Sequence, residues 1–455
     1  MSFPRHEKYK DSGVEWLGEV PEGWKICRLQ DLSSGQKYSF VDGPFGSDLK
    51  NNEYTESGVP LIQLNNIEVG RHIFNEDRFV SEEKANSLGK HNAFPMDIVI
   101  AKMADPVARA ACVSDKYPRY VIVADCIKLS VDTSTVNTSY LVYTINAPYF
   151  RINAEGVSSG ITRLRVNLGS VKKLQVAFPP LPEQRTIAAF LDHETGKIDA
   201  LVAEQEKLIG LLKEKRQAVI SHAVTKGLDP NARMKDSGVE WLGEVPEGWE
   251  VKRLKSLVAE PLKYGANEAA EIDDPMLPRF VRITDIDDKG GLRDETFKSL
   301  PVEVAEPYLL KEGDVLLARS GATVGKSFIY SKHWGTACFA GYLIRARLDC
   351  SYCLAQWLYY FCQTNEYWGY IVGSQIQATI QNVSAEKYAN LYLPIPSTKE
   401  QRTIATFLDQ ETAKIDALIE EAKKAIELMK ERRTALISAA VTGKIDVRDR
   451  VQDGQ

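Results

Sequence analysis

Few residues in this chain are placed to do covalent chemistry. The segment ARSGATVGKS, Ala318–Ser327, sets Gly321, Gly325, Lys326 and Ser327 in nearly the order of a phosphate-binding loop. That loop needs four residues between its glycines so that successive backbone N–H groups wrap a phosphate, and here there are three. The matching stretch of the first half, AKMADPVARAA, has no glycine, so the segment reads as a turn after a buried strand. Cys350 and Cys353 form a lone CxxC with Cys338 and Cys362 nearby. A thiolate zinc site usually brings two close pairs, and the apolar, aromatic run from Tyr352 to Phe361 points instead to core cysteines and no metal. The six histidines include no HExxH, and His193 and His222 fall within a long helical pattern. Carboxylates are dispersed, and no glycine-rich dinucleotide fingerprint sits between a strand and a helix. The expectation is a non-enzymatic chain that binds no cofactor of its own.

Nucleic-acid readout suits the remaining polar residues better. Loops of the first half carry Lys102 and Arg109, then Thr162, Arg163 and Arg165. Those of the second carry Arg319, Thr323 and Lys326, then Gln375, Gln377, Thr379 and Gln381. Arg and Lys favour phosphates and guanine edges, whereas Gln and Asn pair with adenine, so two such readers would prefer different bases. Each cluster would also suit an ordinary solvated loop. The alternative is a coiled-coil scaffold that holds two protein ligands and never touches DNA.

The elements that must position these residues come in duplicate. KDSGVEWLGEVPEGW at Lys10–Trp24 returns letter for letter at Lys235–Trp249. EQRTIAAFLDHETGKIDALV, from Glu183, is echoed by EQRTIATFLDQETAKIDALI from Glu400, at a slightly shorter spacing, so the stretch between the shared parts differs in length. Between these shared flanks the halves diverge, but both read as mixed, strand-rich structure. Runs such as Val59–Leu64, Asp97–Ala101, Tyr120–Val123 and Leu174–Phe178 are separated by glycine and proline turns, as are Phe280–Ile283, Asp314–Ala318 and Leu391–Ile395. The GPFGSDL turn at Gly43–Leu49 has no evident counterpart around Lys263–Glu271.

Each middle ends in proline punctuation, and a long helix follows. Pro182 suits a first helical turn, Ser397 and Glu400 have capping-box spacing, and Gly227 and Gly443 lie where the helices should stop. Steps of four and three give an apolar seam through Ile187, Leu191, Ile198, Leu201, Leu208 and Leu212, matched by Ile404, Leu408, Ile415, Leu418, Ala425 and Met429. A helix from Glu183 to Val224 would be about 60 Å long, too long to bury that seam on a small domain alone. The expected fold is α+β, with two mixed strand-rich α/β domains separated by an antiparallel pair of long coiled-coil-like helices in a pseudo-two-fold internal repeat. The expected boundaries are 1–182 for the first domain, with its repeat segment 10–29, and 183–227 for the first helix. The second domain then takes 228–396, with repeat segment 235–254, followed by the second helix at 397–443 and a polar tail at 444–455.

Composition agrees with an ordinary folded chain, at 44% hydrophobic and 26% charged residues over 455 positions. No apolar run approaches the roughly 18–20 residues that cross a bilayer, and the start lacks a signal-peptide core, so no membrane association and a cytoplasmic location are expected. Seven scattered cysteines suit a reducing compartment. A net charge of −5 leaves DNA binding to local placement of Lys and Arg.

Taken together, the duplicated KDSGVEWLGEVPEGW, the GPFGSDL turn, the proline-marked EQR helix starts at Glu183 and Glu400 and the FLD…KIDAL openings resemble the specificity subunit of type I restriction–modification systems. The resemblance implies that each divergent middle is a target-recognition domain for one half of a bipartite site in double-stranded DNA. It also implies that the helices act as a spacer and dock two copies of a modification methyltransferase subunit. Motor/endonuclease subunits would complete the complex, and S-adenosylmethionine, ATP and Mg would be handled by the partner subunits.

Overall fold

The computed structural model describes residues 3–75, 78–103, 106–160, 164–287, 290–375 and 382–450, with backbone alone at Ala322, Gln375 and Arg450. The chain divides into two compact units, residues 1–205 with 424–455, and residues 206–423. The division falls inside both long helices, Leu181–Lys226 and Thr398–Val441. Each unit therefore contains one strand-rich domain, the start of one helix and the end of the other.

In the first unit an antiparallel sheet runs in the order Phe40–Asp42, Cys126–Leu129, Ile98–Ala101, Ala110–Cys112. Ile98–Ala101 is buried along its whole length because both faces are covered. Ile98 and Ile100 pack with Leu141 and Ile145 of helix Thr138–Asn146, whereas Val99 and Ala101 pack with Ile62 and Ile122 of a second sheet. That second sheet contains a parallel pair, Val59–Ile62 beside Tyr120–Ile122. Each fully buried aliphatic side chain contributes about 1.5–3 kcal/mol, so covering the strand on both faces stabilises the domain through every residue of the run.

The second unit repeats the plan with other residues. Its sheet runs Lys263–Tyr264, Leu343–Ala346, Val315–Ala318, Ser327–Ile329, and its parallel pair is Arg279–Val281 beside Ala337–Phe339. Val315 and Leu317 face Trp357, Leu358 and Phe361, while Leu316 and Ala318 face Val281 and Phe339. The GPFGSDL turn does have a counterpart here. A Cβ on Gly43 would lie 1.8 Å from the Val123 carbonyl oxygen, and one on Gly265 would lie 2.2 Å from that of Phe339. Both glycines end the outer strand where the backbone passes hard against the neighbouring chain; only this one residue of the turn is shared, which hid the match in the sequence.

At the root of each domain a short strand from the repeat, Lys25–Arg28 or Glu250–Arg253, pairs antiparallel with the strand that leads into the helix, Gln175–Phe178 or Tyr392–Ile395. The repeated segments also close the helix ends. Gly443, with φ +71°, would place a Cβ 2.3 Å from Pro21 and 3.3 Å from Trp24, and Tyr9 Oη donates to its carbonyl at 2.9 Å. Gly227, with φ +75°, sits 3.3 Å from Trp249 by the same measure. The left-handed glycine thus ends the helix and leaves room for an indole. The expected capping box is only half formed: Ser397 Oγ accepts from the Glu400 N–H at 3.3 Å, but the Glu400 carboxylate accepts from Trp249 Nε1 at 3.1 Å instead of turning back.

Within each unit the two helical stretches run antiparallel. In the first, Ile187 and Leu191 share a core with Leu436, Ile437 and Val441, and Arg433 bonds Asp199. In the second, Leu212 packs with Ile415 and Ile419, and Arg216 bonds Asp416. The expected seam drifts: Leu201, Leu208 and Leu418 are exposed at 49%, 42% and 49%, while Ile419 and Ile426 are buried. A stripe at 3.6 residues per turn leaves a strict seven-residue repeat, so Ile415 is followed by Ile419 and not by Leu418.

Residues after the second helix fold back onto the first unit, where Val447 is buried and the Asp446 N–H donates to the Pro4 carbonyl at 2.8 Å. Pro4 and Asp446 are thus direct neighbours. A circular permutant opened near Pro230, with the natural ends joined, is expected to fold with a melting temperature close to that of the parent; calorimetry checks it, and failure to fold would contradict the closed repeat.

Candidate nucleic-acid interface

The two domains carry matching strand ends and surround them with matching positions. Lys102 follows strand Ile98–Ala101, and Arg319 follows Val315–Ala318. The Lys102 N–H donates to the Asp125 carbonyl at 2.8 Å, and the Arg319 N–H to that of Tyr342 at 3.0 Å. Their own carbonyls accept from Val166 and Val383 at 2.9 and 2.8 Å. Met103 bridges to Arg165 as Ser320 bridges to Asn382. Identical backbone connections therefore present Lys102, Asp125 and Arg165 in one unit and Arg319, Tyr342 and Asn382 in the other.

The side chains give the two surfaces different chemistry. In the first unit Lys102 is buried and its Nζ lies 2.9 Å from Asp42 Oδ1, while half-exposed Arg165 holds Asp125 at 2.7 Å. Arg109 is tied into the fold: its Nε donates to the Ile67 carbonyl at 2.5 Å and its Nη2 to that of Leu64 at 2.7 Å, which pins the 3-10 turn Leu64–Asn66. Lys102 and Arg109 are therefore occupied within the domain, because each lies where a strand end needs a cation against oxygens that burial would otherwise strand. In the second unit the Arg319 guanidinium lies 4.6 Å over the Tyr264 ring and donates to Asn382 Oδ1 at 3.4 Å, beside Tyr342, which is 66% exposed. Thr323 closes the 3-10 turn Gly321–Thr323, and Lys326 is exposed.

Gln375 ends helix Asn365–Gln375, with its side chain outside the described residues. Thr162, Arg163, Gln377, Thr379 and Gln381 also lie outside them. Sequence reasoning missed Asp42, Asp125, Tyr264, Tyr342 and Asn382. Carrying the spacing of the two helix starts back into the middles would have found most of them.

The segment that imitates a phosphate loop leads into strand Ser327–Ile329, not into a helix, so no helix N-terminus faces it. Its glycines serve the turn: Gly321 and Gly325 have φ of +77° and +87°, and a Cβ on Gly325 would meet Trp368 at 2.8 Å. Of the cysteines around the CxxC, Cys338 belongs to a different apolar cluster from Cys353 and Cys362, and Cys350 is exposed. Burial raises the thiols of Cys338 and Cys353 to about 12, which leaves them protonated core residues. Among the described residues, no three His, Cys, Asp or Glu side chains gather as a metal site.

A family model described as the type I restriction modification DNA specificity domain matches residues 21–208 and again residues 246–428. The chain belongs to that family. The double match follows the internal repeat, one specificity domain for each strand-rich fold and its helix. Among curated relatives, the StySPI specificity subunit of Salmonella potsdam is 22% identical over 446 residues, which cover 96% of this chain and 92% of the relative. The EcoBI specificity subunit of Escherichia coli is 22% identical over 465 residues, covering 100% and 93%. A chain from a solved type I restriction–modification assembly aligns with a TM-score of 0.71 at 18% identity, covering 93% of this specificity chain and 98% of its own length. The crystal structure of the HsdS subunit from Thermoanaerobacter tengcongensis aligns with a TM-score of 0.52 at 18% identity, over 94% and 98%. These likenesses establish a shared fold.

Proposed function

We infer that this chain is the DNA sequence-recognition subunit of a type I restriction–modification complex, with each strand-rich domain reading one half of a bipartite target. One observation carries the reading: identical backbone connections present Lys102, Asp125 and Arg165 in one unit and Arg319, Tyr342 and Asn382 in the other. Asp accepts from cytosine amino groups, Arg donates to guanine, and Asn pairs with adenine, so these surfaces suit different half-sites. Arg165 can exchange Asp125 for a phosphate or a guanine edge at little cost, because an exposed ion pair is weak.

The chain's part is to bind and orient. Methyl transfer from S-adenosylmethionine and ATP- and Mg-dependent cleavage belong to the partner methyltransferase and motor/endonuclease subunits. Two identical methyltransferase copies are supported by a repeated apolar pair: Leu201 and Leu428 are exposed at 49% and 65% in the first unit, and the equivalent Leu418 and Leu211 at 49% and 53% in the second. The same exposed apolar side chains at equivalent places in both units would offer two copies of one partner the same contact. No described helix is long and apolar enough to cross a membrane, in keeping with work on DNA in the cytoplasm. The scaffold that never touches DNA is not favoured, since it leaves the divergent strand-end chemistry without a role.

The test exchanges residues 30–180 for the middle of another specificity chain and maps methylation by the assembled complex. One half of the target should change and the other stay. Retention of both half-specificities would overturn the reading.

A further inference from the structure

Away from the strand ends, each domain meets its helix through a constellation that recurs in the other unit. In the first unit Tyr143 donates to Asp192 Oδ1 at 2.8 Å and lies 3.2 Å from Thr195 Oγ1, while Arg433 Nε donates to Asp199 Oδ1 at 3.1 Å. In the second, Tyr360 donates to Asp409 beside Thr412, and Arg216 Nε donates to Asp416 Oδ1 at 3.0 Å. Burial raises the Tyr143 phenol to about 12 and shifts that of Tyr360 upward as well, so both stay protonated donors.

The seams beyond this constellation differ. In the second unit Arg216 Nη1 donates to Gln363 Oε1 at 3.1 Å, Gln217 donates to the Gln363 carbonyl, and the Asn365 N–H donates to Ser221 Oγ at 3.1 Å. At the matching place in the first unit, Asn146 turns its amide to Ala110, accepting from its N–H at 3.0 Å and donating to its carbonyl at 2.8 Å. Pro148, which has no N–H, stands where Asn365 does. A cavity of about 470 Å³ opens there, with Tyr143, Asn146, Pro148, Asp192, Gly196 and Arg433 in its lining. Gly196 takes the place of Ala413, which widens the gap on the helix side.

We propose that Tyr143 and Asp192 are positioning residues which set the angle of the first recognition domain on its helix, and hence the gap between half-sites that the chain accepts, whereas the second domain is held redundantly. The proposal rests on the DNA-recognition reading above. A domain held at its root, where Gln184 and Tyr140 bond across the junction with the long helices, and at one described polar point further along pivots about that root when the further point is lost. A domain fastened at three further points does not. Phenylalanine at 143 keeps the ring packing and removes only the hydroxyl.

The test uses the full chain with its methyltransferase partner and DNAs that carry both half-sites, with the gap changed by one or two base pairs. Wild type should retain one gap length. Y143F and D192A should keep native-gap binding within about twofold and lose about tenfold of the discrimination against neighbouring gaps, the weight of one hydrogen bond to a carboxylate. Y360F should discriminate as wild type does, and Y360F combined with Q217A, S221A and Q363A, which removes all three further points, should not. Unchanged discrimination in both Y143F and D192A, an equal loss at every gap, or loosening by Y360F to the same degree would overturn the assignment. Failure of the wild type itself to prefer a split target would instead overturn the recognition reading.

Discussion

Gly43→Ala should unfold the first recognition domain at temperatures the wild type survives, at a cost of about 3–5 kcal/mol or more. The added methyl would sit 1.8 Å from the Val123 carbonyl oxygen and 2.3 Å from its carbon, so backbone must move on one side of the joint. Movement there also breaks the Gly43 N–H bond to the Cys126 carbonyl at 2.8 Å, which continues the pairing of Phe40–Asp42 with Cys126–Leu129. Gly265→Ala should do the same in the second domain, where both Phe339 and Ala340 carbonyl oxygens stand within 2.4 Å of the new atom. The control is Gly46→Ala in the same turn, where no atom lies within 4 Å of the new methyl and the cost should stay below about 0.5 kcal/mol. Calorimetry of the full chain checks it: each damaging variant should lower one transition, and a melt identical to wild type would show that the joint relaxes.

Gln184→Leu and Gln401→Leu should each cost about 3–5 kcal/mol, because one buried amide satisfies three backbone groups. Gln184 Oε1 accepts from the Asn137 N–H at 2.8 Å, and its Nε2 donates to the carbonyls of Thr135 and Pro179 at 3.1 and 2.8 Å. Gln401 does the same for Leu354, Tyr352 and Pro396 at 2.9, 2.8 and 3.0 Å. Both side chains are fully buried. Leucine fills the space and leaves a donor and two acceptors unpaired in a dry interior. Urea unfolding should show a lower midpoint with little change in slope, whereas a variant as stable as wild type would show that water replaces the amide. The effect should reach DNA binding too, since each glutamine ties the loop before the domain's helices to the proline-marked start of the long helix.

That glutamine shows how far the sequence could be read. The EQR of both helix starts is plain as a repeat, and its position beside proline punctuation predicts where the helices begin. Nothing in the letters says that Gln184 is buried while Arg185 is exposed, because that depends on which loop folds over the first turn. The strand ends follow the same pattern. Ile98–Ala101 and Val315–Ala318 were legible as buried strands because a sheet covered on both faces needs unbroken apolar runs. The donors beyond them were legible only by type. Arg109 looks like a reader of DNA in the sequence, yet it spends its guanidinium on the Ile67 and Leu64 carbonyls. Asp125 and Tyr342 are unremarkable letters until the backbone sets them beside Lys102 and Arg319.

By itself the sequence determined that the chain is built twice, that each half is a strand-rich domain followed by a long helix, and that the divergent middles hold any difference in specificity. Local signals suffice for these conclusions, since repeats, periodicity, prolines and terminal glycines act over a few residues each. Tertiary structure alone decided that Leu201 and Leu418 face solvent, and that Asp125 and Arg165 in one unit, Tyr342 and Asn382 in the other, stand beside the matching strand ends. It also decided that the first domain's seam is open where the second's is closed, since Asn146 and Gln363 differ by one methylene yet turn to different partners. The physical reason is that such choices belong to contacts between residues far apart in the chain, where a polar group's role depends on which oxygen or ring the fold brings within about 3–5 Å.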